Sequence, residues 1–179
     1  MVPPTTVICA GSAMEALLGG PDLVAYAQDA ANAAKTKRMP LSHAMPGLFL
    51  AGAAPAKRLD LLQAHAISAV VNVGGGACPF PQAVEYLKIG VLDTGSTSML
   101  PHFHATSDFI HRHVMEGRNV LVHCRGGFSR SPAVVAAYLV KYRRVSVDDA
   151  LLVCRLGHPR SNPRANFLDD LHVFASSLE

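Results

Sequence analysis

Two short apolar runs constrain the fold most: Ala69-Val70-Val71-Asn72-Val73 and Val120-Leu121-Val122. Neither alternates with polar residues as a strand with one wet face would, so both predict strands covered on both sides. Gly74-Gly75-Gly76 ends the first run abruptly. Between the two, residues 101–117 carry Phe103, Thr106, Ile110 and Val114 at helical spacing. Buried strands separated by a helix predict an α/β fold: a central, mostly parallel twisted sheet of about five strands flanked by helices.

The rest of the chain keeps that alternation. Residues 48–51 and 87–91 read as further strands, the second leading to Asp93 and a polar loop at 94–98. Residues 56–64 read as a helix. Residues 132–142 are apolar nearly all round, as a buried helix would be. Ser146 with Asp149 marks another helix start, and a last helix is expected over 163–177. These segments lie within 41–179, expected to be one domain. Residues 1–40 read as an extension with one accessory helix at the alanine-rich stretch 22–35, followed by a solvated basic cluster of Lys35, Lys37 and Arg38.

Composition closes off other classes. Half of the 179 residues are hydrophobic and only 16% are charged, which excludes a disordered chain. The 14 glycines and 12 prolines follow no period, so no collagen-like reading holds. The longest apolar run, 132–140, is too short for a membrane span. Residues 1–34 hold Glu15, Asp22 and Asp29 and no Lys or Arg, so all 16 basic residues lie in the remainder. Such an excess suits a small anionic or phosphorylated partner; nucleic acid would call for a denser basic stripe. Cys9, Cys78, Cys124 and Cys154 are widely spaced with no CxxC, which predicts free thiols in a reducing compartment, the cytoplasm, with nuclear access by size.

The segment richest in chemistry is His123-Cys124-Arg125-Gly126-Gly127-Phe128-Ser129-Arg130-Ser131-Pro132. A buried strand delivers a cysteine to a glycine-containing turn, and a helix follows at once, with Pro132 suited to its first turn. Backbone N–H groups in such a turn converge on one anion, helped by the positive end of the helix. That field also favours the thiolate of Cys124. Arg130 can grip two phosphate oxygens in a fork that lysine cannot form.

These residues resemble the cysteine-dependent protein phosphatases, in particular the dual-specificity branch and its small atypical members. The motif His-Cys-x-x-Gly-x-Ser-Arg-Ser is met by His123, Cys124, Gly127, Ser129, Arg130 and Ser131. The resemblance runs over residues 43–174, through the strand bearing Asn72, the strand before Asp93, and Asn166-Phe167-Leu168-Asp169-Asp170-Leu171. It implies that Cys124 is the nucleophile and Asp93 the general acid. Arg130, with the loop Arg125, Gly126, Gly127, Phe128 and Ser129, would bind phosphate. Ser131 would hydrogen-bond the cysteine, and His123 would shape the loop from behind. No cofactor or metal is implied. Asp108 is the competing acid, but its expected place within a helix disfavours it.

The resemblance implies hydrolysis of phosphotyrosine and phosphoserine/phosphothreonine in phosphorylated proteins, with Arg125 and Phe128 on the rim. The alternatives are a phosphatase of phosphoinositides or RNA 5′ ends, and a phospho-binding protein without turnover. Where relatives often have asparagine, this chain has Arg164. Cys154 reads as a core residue and Cys78 as a residue without a role, a redox partner of Cys124 being the minor reading. His102, His104, His111 and His113 cluster in sequence, but a helix turns His111 and His113 about 200° apart, so no metal site is expected.

Overall fold

The two buried runs pair directly and in parallel: Val70 lies opposite Leu121 and Val71 opposite Val122. A computed structural model describes residues 41–179. In it the chain runs β1 (Ser42–Met45), β2 (Leu48–Ala51), α1 (Ala53–Ala56), α2 (Leu59–Ala64), β3 (Ile67–Asn72) and β4 (Glu85–Lys88). There follow α3 (Leu100–Met115), β5 (Asn119–His123), α4 (Arg130–Arg143), α5 (Val147–Gly157) and α6 (Ala165–Ser176). The helix expected at 22–35 and the cluster of Lys35, Lys37 and Arg38 lie outside the described residues.

The sheet has five strands in the order β1-β2-β5-β3-β4. All neighbours are parallel except β1 and β2, which form an antiparallel edge. Side chains alternate across it as strand geometry demands. Leu48, Leu50, Val71, Val120 and Val122 pack with α3, α4, α5 and α6. Phe49, Ala51, Val70 and Leu121 face the other way, onto Ala56 of α1 and Leu62 of α2. Helices on both faces are why the strand sequences read as unbroken apolar runs.

Helix α4 is the axis of the larger core. Ser131 through Val140 are all buried, and Val134, Val135 and Leu139 expose 1% or less of their surface. Full burial of each such side chain is worth roughly 1.5–3 kcal/mol. In α5 the cap predicted from sequence is present: Ser146 Oγ accepts from the Asp149 N–H at 3.1 Å.

Three expectations need correction, and one strand has no counterpart among them. Strand β1 was not legible, because Ser42-His43-Ala44-Met45 carries no β-branched residue and pairs only at the sheet's edge. The helix expected at 56–64 is two short ones, since Arg58 is extended (φ −111°, ψ 101°) and its guanidinium bonds Asp60 at 2.8 Å. The strand expected at 87–91 sits at Glu85–Lys88. Beyond it the ladder persists only as Ile89 N–H to Asn72 O and Val91 N–H to Val73 O, because Gly90 turns to φ +44°. Finally, α4 begins at Arg130, so Pro132 is its third residue, still within the turn whose N–H groups have no helical partner.

Candidate active site

The end of β5 meets the start of α4 at a loop that only particular residues can form. Gly127 has φ +80°, and a Cβ there would lie 2.9 Å from the Ala51 carbonyl and the Gly52 nitrogen. The loop is thereby seated against the end of β2, and Ala53 N–H donates to Arg125 O at 3.1 Å. On its other side, a hydrogen bond from Val73 N–H to His123 O (2.9 Å) ties β5 to β3 just before the turn.

Within this seat Cys124 is 1% exposed. Its sulfur accepts from the Gly127 N–H at 3.2 Å and from the Ser131 hydroxyl at 3.3 Å. Two donors aimed at one sulfur, at a helix N-terminus, favour negative charge there. His123 lies behind the loop, buried, with Nδ1 3.4 Å from Cys124 O. Burial favours the uncharged ring and pushes the imidazole below its ordinary value, outweighing the bond to that carbonyl, which acts the other way.

Arg130 is buried, and its Nη1 donates to Val91 O at 2.9 Å. Its Nε faces Asp93 Oδ2 at 3.4 Å and has no hydrogen bond of good geometry among the described residues. Asp93 stands beyond the end of β4 rather than at it, and it reaches over the loop. Its Oδ1 accepts from the Ser129 hydroxyl at 3.0 Å and from Arg164 Nε at 2.8 Å. Cys124, Ser129, Arg130, Ser131 and Asp93 therefore converge at one loop, between β5 and α4.

The loop that follows Asp93 is tied to α6. Asn166 Nδ2 donates to Thr94 O (3.1 Å) and Thr97 O (2.6 Å), and Asp170 accepts from Ser98 Oγ and from the Met99 N–H. Asp170 so caps α3 from a neighbouring helix.

Asp108 is elsewhere. Burial, which would raise its pKa, is outweighed by hydrogen bonds from Lys141 and the Tyr142 hydroxyl, so its carboxyl sits below the usual range. Those partners are at the far end of α4, about 15 Å along its axis from Ser131.

Sequence reasoning missed the loop that packs against Phe128. Asn162 N–H donates to Phe128 O at 2.6 Å, and the Arg160 guanidinium lies 3.9 Å over the Phe128 ring. His158 Nδ1 is 2.8 Å from Ser42 Oγ. Arg125, the residue after Cys124, is exposed. Only Arg164, where the resemblance led to an expectation of asparagine, drew attention to this stretch of sequence.

The remaining candidates separate. Cys154 is fully buried, and burial pushes its thiol up to about 12, as befits a core residue. Cys78 is half-buried against Asn72, whose Nδ2 also donates to Gly76 O at 3.1 Å. His111 stacks on Tyr142 at 3.7 Å, whereas His113 is buried against Glu85. Among the described residues no three metal-binding side chains converge.

Comparisons with known proteins point one way. The family model described as "Dual specificity phosphatase, catalytic domain" matches residues 48–177. Human dual specificity protein phosphatase 15 is 34% identical over 130 residues, 73% of this chain and 44% of that protein. Dual specificity protein phosphatase 22 of Mus musculus is 32% identical over 134 residues, 75% of this chain and 73% of that protein. The crystal structure of human DUSP28 matches with a TM-score of 0.75 at 29% identity, over 79% of this chain and 96% of that one. The chain thus spans less than half the length of the first of these relatives.

Proposed function

The chain belongs to the dual specificity phosphatases, and from that premise we propose that it hydrolyses phosphotyrosine and phosphoserine/phosphothreonine in proteins through a cysteinyl phosphate on Cys124. The observation that carries this reading is the sulfur of Cys124 under two donors at the start of the helix that carries Arg130, whose Nε faces Asp93 Oδ2 at 3.4 Å.

In the first step the thiolate attacks phosphorus and the P–O bond to the substrate breaks. Asp93 gives its proton to the departing oxygen. The N–H groups of the loop and the Arg130 guanidinium hold the equatorial oxygens as charge builds on them. In the second step water attacks the cysteinyl phosphate, Asp93 accepts a proton from that water, and the S–P bond breaks. The Ser131 hydroxyl steadies the departing thiolate. General acid–base assistance of this kind is worth about 10²–10⁴-fold.

The rim supports a protein substrate with acidic or phosphorylated residues near the scissile group. Arg125 and Arg160 supply positive charge, and Phe128 offers a ring to an aryl or peptide group. Free-thiol usage supports a cytoplasmic setting. Among the described residues no helix is long and apolar enough to cross a membrane.

The direct test is hydrolysis of p-nitrophenyl phosphate by the purified protein in the presence of a chelator. Turnover that vanadate inhibits, absent in Cys124→Ser, is the expected result. Binding of phosphopeptides without turnover would instead mark a recognition protein.

A further inference from the structure

We propose that Arg164 is a positioning residue for the acid: with Ser129 it saturates Asp93 Oδ1, so that the transferable proton rides on Oδ2. The inference rests on the reading of Asp93 as general acid.

The geometry is asymmetric. Oδ1 takes two hydrogen bonds, from Ser129 Oγ at 3.0 Å and Arg164 Nε at 2.8 Å, while Oδ2 takes none of good geometry and faces Arg130 Nε at 3.4 Å. An oxygen already accepting two donors is a poor site for a proton, so protonation goes to the other oxygen. That oxygen faces the Arg130 guanidinium, and once phosphate engages Arg130 it is the carboxyl oxygen left free to carry a proton.

The backbone of Arg164 is itself held. Arg164 is the residue that precedes α6, with φ −64° and ψ 156°, and its backbone N–H lies 3.4 Å from the same Ser129 oxygen. One serine therefore anchors both the arginine and the acid. Once phosphate occupies Arg130, Ser129 and Arg164 are the contacts left to hold the carboxyl over the loop. A shorter asparagine would have to bond Asp93 through a different side-chain reach, so the acid's geometry here belongs to this chain's own arginine.

Arg164→Ala is compared with wild type on an alkyl phosphate, whose leaving oxygen needs a proton, and on p-nitrophenyl phosphate, whose leaving group needs less help. The expected result is a loss of about tenfold or more in kcat on the alkyl ester, within about twofold on the nitrophenyl ester, and little change in KM. Arg164→Gln, which keeps a donor without the charge, recovers part of the loss. The double variant Asp93→Ala/Arg164→Ala is no slower than Asp93→Ala alone. Vanadate inhibition and circular dichroism report on the cradle and the fold, and Arg164→Asn provides the same comparison if Arg164→Ala does not fold. Equal losses on both esters with a raised KM would overturn the proposal, since Arg164 would then be holding the substrate. An unchanged or faster rate on the alkyl ester would overturn it as well. If Asp93→Ala itself shows no dependence on leaving group, the acid assignment fails instead.

Discussion

Ser131 Oγ lies 3.3 Å from Cys124 Sγ, so the first turn of α4 carries a donor aimed at the sulfur that β5 delivers. The bond spans seven residues of sequence and depends on the helix beginning where it does. A hydrogen bond to a charged group is worth about 1.5–3 kcal/mol. Ser131→Ala is therefore expected to slow hydrolysis of the cysteinyl phosphate by about tenfold to a hundredfold. Stopped-flow release of nitrophenolate should show a burst followed by a slow steady state. A variant with wild-type turnover and no burst would count against the role given to Ser131.

The two candidate acids are expected to behave oppositely. Asp93→Ala loses most turnover on alkyl esters and keeps vanadate binding. Asp108→Ala keeps turnover, because its partners Lys141 and Tyr142 are at the other end of α4, and as an exposed pair it loses no more than about 1 kcal/mol of stability. Steady-state kinetics of both variants on esters of differing leaving group decide the matter, and reversed behaviour would exchange the assignments.

Much of this site was legible locally. The run from Val120 to Pro132 specifies strand, turn and helix by itself, because each residue type there meets a need set by its immediate neighbours. The unbroken strand sequences likewise announced a sheet covered on both faces. What stayed hidden was long-range. Arg164 reaches Asp93 across 71 residues and Arg160 reaches Phe128 across the whole of α4 and α5, contacts that no periodicity encodes. Asp93 was legible as a residue but not as a geometry, since Gly90 ends the regular strand before it. Edge strand β1 carries too little β-branched character to stand out.

Gly157 is expected to tolerate no side chain. A Cβ there would overlap the carbonyl oxygen of His43, where α5 ends against β1. That oxygen belongs to the backbone and cannot turn aside. Gly157→Ala is expected to cost about 1–3 kcal/mol or more, as overpacking does. Thermal denaturation of the variant measures this, and an unchanged Tm would show that the two elements do not touch as described.

Stability is expected to fall as pH drops below about 6.5. Burial holds His43, His113, His123 and His158 below that ordinary value in the folded protein, so the unfolded chain binds protons first. Stability is fully present above the unfolded pKa and declines until the folded pKa is passed, by up to about 1.4 kcal/mol per pH unit for each proton taken up. Asp60, Glu85 and Asp108, whose pKa values are lowered, add a second decline only below about 4.5. Urea titrations from pH 8 to 5 check the sign. A midpoint that rises on acidification would contradict it.

The most direct measurement is to catch the phosphoryl group on sulfur. Ser131→Ala is mixed with radiolabelled substrate, quenched rapidly in acid and digested, and the labelled peptide is identified by mass spectrometry. The label should map to Cys124 and vanish in Cys124→Ser. Turnover with no label on that cysteine, or undiminished turnover by Cys124→Ser, would contradict covalent catalysis by this residue.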